Sequence, residues 1–199
     1  MVENWIRTDE VEDVAGSIRH VIRAAQFAAE DPLAWKWVVI ALDSALQGAC
    51  VCHLTTTAAP IGAVTKRNAS EWWTYLGGLR SNPNARQPKT ELMGLPDLLK
   101  AVRKPGSAGN GSNSAGIAIS DSELNWLLRF HKEIRNQFAH FGPAGWSIEV
   151  SGIPKIARLV ARIIRDILEA GWAFRHQDCA AREEMQQSLH AVEMIKWPT

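Results

Sequence analysis

The sequence predicts an all-α protein, a helical bundle of four to five main helices, and three observations carry that expectation. Apolar residues recur at helical spacing in five stretches. Helix starts are marked by Asp31-Pro32 and by Ser120-Asp121-Ser122-Glu123, both standard N-terminal signals. Extended structure is suggested only at 146–150.

The first helix is expected over 10–29, where Val11, Val14, Ile18, Ile22 and Phe27 fall nearly in phase. Asp31-Pro32 then opens a second helix over about 33–53. Trp35, Trp37, Val38, Ile40, Leu42, Leu46, Val51 and Leu54 leave it no clean polar face, so it belongs at the centre of the bundle. Thr55-Thr56-Thr57 and Pro60 end it. Residues 58–104 are less regular: Ser70 suits the cap of a short helix, and 91–102 reads as one or two helical turns interrupted at Gly94 and Pro96. The Gly/Ser/Asn-rich stretch 105–116 has little to pack and is expected to be a mobile loop or lid. It lacks the Gly-Lys-Ser/Thr ending of a phosphate-cradling loop. The capping box at 120–123 opens a helix running to about 140, where Gly142-Pro143 stops it. Ser151 caps a long helix to about 172–174, and a last helix covers about 180–194.

Composition narrows the function classes. With 199 residues, the chain suits a single domain (1–199, with 105–116 as its mobile loop) and can bury a substantial core. Lys and Arg number 22 against 21 Asp and Glu, which excludes a polybasic nucleic-acid wrapper; any RNA site must be local. Three cysteines do not make a disulfide scaffold, and the start lacks the pattern of a signal peptide. The most apolar stretch, 35–54, carries Lys36, Asp43 and Gln47, which argues against a bilayer span. A cytoplasmic, reduced setting is the expectation. Cys50-Val51-Cys52-His53 lacks a second ligand pair elsewhere, and residues two apart on a helix diverge. Buried thiols are the better reading, with no metal and no cofactor expected.

The segment richest in chemistry is 126–141. On a helical wheel Leu127, Phe130, Ile134, Phe138 and Phe141 form an apolar stripe, and Trp126, Arg129, Glu133, Asn136 and His140 form a polar one. A solvated face and a helix–helix interface carrying an Arg–Asn–His site both fit that second stripe. Arg135-Asn136-x-x-x-His140, near the end of a helix in an all-α chain, resembles the motif of the HEPN superfamily. The specific match covers about 123–153, including Phe141-Gly142-Pro143-x-x-Trp146. The resemblance implies a helical bundle that dimerises so that two motif helices form a cleft. It further implies metal-independent RNA cleavage with Arg135, Asn136 and His140 as catalytic residues, in a toxin or antiviral setting with an antitoxin or regulatory partner. Some members of the superfamily are catalytically silent binding modules, the alternative for this chain.

The residue types suit that chemistry. Histidine titrates nearest neutrality, so His140 can move the 2′-hydroxyl proton. Arginine offers a planar fork for phosphate oxygens, the role expected of Arg135. Asn136, about 40° from His140 on the wheel, can orient the imidazole or the phosphate. Trp126, Arg129, Glu133, His131, Arg158 and Arg162 are further candidates for RNA or interface contacts. Each has a plainer reading as well: an ion pair for Glu133, a solvated histidine for His131, and a solvated basic face for Lys155, Arg158, Arg162 and Arg165. Trp72, Trp73 and Trp126 could stack on bases, while Trp35, Trp37 and Trp172 suit the core.

Overall fold

A computed structural model describes residues 5, 8–140 and 145–198. The described chain is all-α, with seven helices and a single isolated antiparallel bridge between Val64 and Leu92. Helix α1 is Glu10–Phe27, α2 is Ala34–Leu54, α3 is Lys66–Gly78 and α4 is Leu95–Val102. Asp121–Arg129, Phe130–Arg135 and Asn136–Ala139 run on without a break and are treated together as α5. Helix α6 is Ile153–Glu169 and α7 is Cys179–Glu193. Seven helices exceed the four to five main ones expected, because the irregular stretch folds into two more.

Helix α1 begins where the Asp9 carboxylate accepts the Glu12 amide at 2.8 Å, and Glu10, Glu12 and Asp13 favour the positive end of the helix. Its buried residues Val14, Ile18, Val21 and Ala25 pack into a core centred on α2. Fifteen residues of α2 are buried, which makes it the central element that its all-round apolar surface predicts. By length and composition α2 could cross a membrane, with a mean hydropathy of 1.5, despite the three polar residues read against that. Here protein covers it. Helix α6 has the cleanest division of faces, burying Ile156, Val160, Ile163, Ile164 and Ile167. It ends at Glu169, short of the expected 172–174, because Gly171 turns the chain with φ of 80°.

The middle of the chain departs most from expectation. Thr65, not Ser70, caps α3, accepting the Asn68 amide at 3.3 Å. Pro96 initiates α4 rather than interrupting it, a position where its missing N–H costs nothing. Buried Asn68 ties the extended stretch after α3 back onto the helix: its side chain donates to the Lys89 carbonyl and accepts the Glu91 amide, at 2.8 and 2.9 Å. Gly152, not Ser151, precedes α6; the Ser151 hydroxyl instead donates to Glu149.

The expected mobile loop at 105–116 is a fastened one. Ser107 Oγ donates to the Val102 carbonyl at 2.9 Å and accepts from Asn113 Nδ2 at 2.9 Å. Asn113 Oδ1 receives the Ala108 amide, the Gly109 amide reaches the His53 carbonyl at 2.8 Å, and Ala108 is buried. A Cβ at Gly109 would run into the Thr55 carbonyl and the Trp172 indole, so only glycine allows this approach. The loop lies against the end of α2 because its polar groups bond there, which no count of apolar residues reveals.

Candidate functional site

Asp43 is the organising group. It sits mid-way along α2 and is 2 % exposed, an unusual place for a carboxylate unless it is paired. Both of its oxygens are used by α5. His131 Nδ1 lies 2.8 Å from Oδ1, and Arg135 Nε forms an ion pair with Oδ2 at 3.2 Å. Arg135 Nη1 in turn donates to Asn136 Oδ1 at 3.1 Å. One buried acid thus fixes a histidine and an arginine four residues apart, and the arginine holds the neighbouring amide. The arginine side chain keeps 30 % of its surface exposed.

The segment that presents these groups is π-helical, from Phe130 to Arg135. A π turn places roughly one extra residue in the helix, so the residues beyond it lag by about 100° behind an uninterrupted α-helix. That breaks the polar stripe drawn on a regular wheel: Asn136 and His140 no longer continue the line of Trp126 and Arg129. The apolar residues stay inside all the same: Leu127 and Phe130 before the shift and Phe138 beyond it are buried, and Ile134 is partly so. Phe141 and the Gly142-Pro143 stop lie outside the described residues.

His140 closes the helix as its C-cap, with φ of −125° and ψ of 96°. Its amide donates to the Asn136 carbonyl at 2.8 Å, and the residue is exposed. Beyond, the chain is held where Trp146 meets Phe138 edge to face, ring centres 4.9 Å apart. Arg135, Asn136 and His140 therefore share the last turns of one helix, but the described partners of Arg135 are Asp43 and Asn136.

Arg135 also lines a groove of about 620 Å³ between α1 and α2. Asp9, Glu10, Asp13 and Asp43 line the same groove, so its charge is mainly negative. Asp13 accepts the Ser44 hydroxyl at 3.3 Å. A phosphate entering from this side would meet one partly neutralised arginine among four carboxylates.

The remaining candidates separate. His131 is not solvated: its ring is mostly buried on Asp43. Arg129 and Glu133 form an exposed ion pair at 3.3 Å, a contact of little energetic weight. Trp126 stands half exposed nearby. Arg162 is spent on Glu123 at 2.9 Å, Asp166 at 2.7 Å and the Ala118 carbonyl. Arg165 pairs with Glu193 at 2.7 Å, and Arg158 reaches the Glu193 carbonyl at 3.5 Å. These arginines fasten α6 to its neighbours, where the sequence allowed a phosphate-tracking face. Among the tryptophans, Trp35 is core and stacks on Trp197, whereas Trp37, expected inside, is half exposed with Lys36 over its ring. Trp72 is buried and Trp73 exposed. Cys50 and Cys52 are buried, and burial pushes both thiols up to about 12.

Asp43 is the residue that reading along the chain missed. Its signal was present: a lone carboxylate amid fifteen buried positions of a central helix must have partners. No protein-family model, curated protein or solved structure matches the chain.

Proposed function

We propose that the chain is a metal-independent endoribonuclease of HEPN type, acting as a homodimer in which two α5 helices build a composite site. The observation that carries this reading is the arrangement at Arg135. A buried carboxylate from another helix grips its Nε edge and Asn136 takes Nη1, while its side chain stays partly exposed. A solvated arginine needs no such support; one that must meet a phosphodiester in a fixed orientation does. Exposed His140, at the end of the same helix, supplies an imidazole within the same last turns. A twofold assembly brings a second imidazole, so one acts as base and the other as acid.

One observation favours a second reading, a catalytically silent module. The carboxylates of Asp9, Glu10, Asp13 and Asp43 give the groove beside Arg135 a charge that repels RNA. In that case Asp43, His131 and Arg135 serve only to lock α5 on α2.

Structured and single-stranded RNA incubated with the pure protein in EDTA distinguishes the two. Cleavage leaving cyclic phosphate ends supports the nuclease. Intact RNA beside a stable dimer supports the silent module. A monomer at micromolar concentration removes the composite site altogether.

A further inference from the structure

The chain between the bridged residues Val64 and Leu92 forms a unit with a small core of its own, built around Ala59, Val64 and Trp72. The Thr65 amide donates to the Glu91 carbonyl at 3.0 Å and closes it. Its charge differs from that of the rest. Lys66, Arg67, Arg80, Arg86 and Lys89 stand against Glu71 and Glu91, a net +3, whereas the remainder of the chain carries a net −2. All five cations are exposed. Arg67 is paired with Glu71 at 3.2 Å, and the other four form no ion pair among the described residues. Arg162 and Arg165 of α6, by contrast, are spent on Glu123, Asp166 and Glu193.

An open groove of about 690 Å³ runs between α3 and 82–88, lined by Arg67, Ser70, Thr74, Tyr75, Asn82 and Arg86 among others. Its hydroxyl, amide and guanidinium groups can bond to phosphates and base edges. On α3, Lys66, Ser70 and Trp73 follow one another at four and three residues and so share a face, with Arg67 and Thr74 beside it. The Trp73 ring is 62 % exposed. A membrane or an amphipathic helix would need a row of apolar side chains here, and Trp73 stands without one on its face of α3. A polynucleotide matches both features: phosphates answer the charge, and flat bases stack on an aromatic ring whatever their sequence. The returning stretch leads on to the groove beside Arg135, which Leu92 lines. From Arg86 to Leu92 the chain spans at most about 20 Å.

We propose that the surface of 65–91 docks single-stranded RNA, its phosphates on Lys66, Arg80, Arg86 and Lys89 and a base on the Trp73 ring. The choice of RNA rests on the ribonuclease reading. The surface supplies what the Arg135 groove lacks, attraction for a strand that the carboxylates of Asp9, Glu10 and Asp13 repel. It uses neither Arg135 nor His140, so binding here is separable from cleavage.

The test is fluorescence anisotropy of the full chain with a labelled single-stranded 2′-O-methyl RNA of about 15 nucleotides. That probe has no 2′-hydroxyl to attack, so it reports binding whether or not the chain cuts RNA. Saturable binding with a Kd of about 1–100 μM at about 0.1 M salt is expected, with log affinity falling against log salt at a slope of about −3 for four phosphate contacts. Arg80→Gln combined with Arg86→Gln should halve that slope to about −1.5. Trp73→Ala should weaken binding about fivefold or more, and Trp73→Phe, which keeps a stacking ring, should stay close to the natural chain. Lys155→Gln, which removes an exposed cation from α6, should change neither affinity nor slope. No saturable binding below about 1 mM, a slope unchanged by the paired substitution, unaltered affinity in Trp73→Ala, an equal loss in Lys155→Gln, or tighter binding to polyglutamate or to phosphatidylserine vesicles would each overturn the proposal. Binding of the probe without cleavage of ordinary RNA would support the surface and count against the ribonuclease.

Discussion

Lowering the pH from about 7 to about 5 should remove about 2 kcal/mol of folding stability through His53 alone. The ring lies at the end of α2 and is fully buried. Its Nε2 is 3.0 Å from Ser107 Oγ. Because that hydroxyl already gives its proton to the Val102 carbonyl, it must accept from His53, which places the imidazole proton on Nε2. Nδ1 then carries a bare lone pair with no partner among the described residues. A second proton there would put an unpaired charge inside the protein, and burial accordingly pushes the group down from 6.5 to about 4. The unfolded chain therefore takes up the proton first as the pH falls. Stability from this group is complete above the unfolded value, drains between 6.5 and about 4, and is gone below. A shift of that size corresponds to about 3 kcal/mol at the limit and about 2 kcal/mol at about pH 5, or a fall in Tm of roughly 4–8 °C for a chain of this length. Other groups titrate in acid too, so the measurement is a difference. Urea unfolding is followed against pH for the natural chain and for His53→Gln, whose amide can still donate to Ser107. The variant is expected to start less stable and to lose about 2 kcal/mol less between those pH values. Parallel acid slopes, or a His53 ring titrating near its ordinary value in NMR, would refute the argument.

The same geometry makes further outcomes checkable. Asp43→Asn removes the charge between His131 and Arg135 while keeping the shape, and should destabilise the chain by about 1–3 kcal/mol; an unchanged urea midpoint would mean the pairing carries no weight. Gly109→Ala forces a methyl group toward the Thr55 carbonyl and Trp172, so it should lower stability by about 2 kcal/mol and speed proteolysis within 105–116. Thiol titration with a disulfide reagent at neutral pH should modify exposed Cys179 quickly and spare Cys50 and Cys52 until the chain is unfolded.

How far these features could be read along the chain depended on whether their causes were local. Helices α1, α2 and α7 begin and end within a few residues of their expected bounds, because caps and apolar periodicity act over one or two turns. The capping box at Ser120 and Glu123 forms as written. The fastened loop could not be read this way, since Ser107 is held to His53 by a bond spanning 54 positions. The same is true of the pairing of Asp43 with His131, 88 positions apart, and of the π segment that breaks the regular wheel. Trp37 was misplaced for a related reason. On a helix with no polar face, hydrophobicity does not say which side a neighbour leaves uncovered. The motif letters Arg135, Asn136 and His140 were legible; the acid that grips the first of them was visible only as an interruption in an apolar run.

The proton transfer proposed for His140 in a twofold ribonuclease site is tested most directly by comparing the natural chain with His140→Ala. RNA cleavage in EDTA and mass by light scattering are recorded on the same samples. Under the proposed mechanism the natural chain is a dimer that cleaves RNA, and the alanine variant remains a dimer but leaves the RNA intact. An alanine variant that cuts as fast as the natural chain would contradict it.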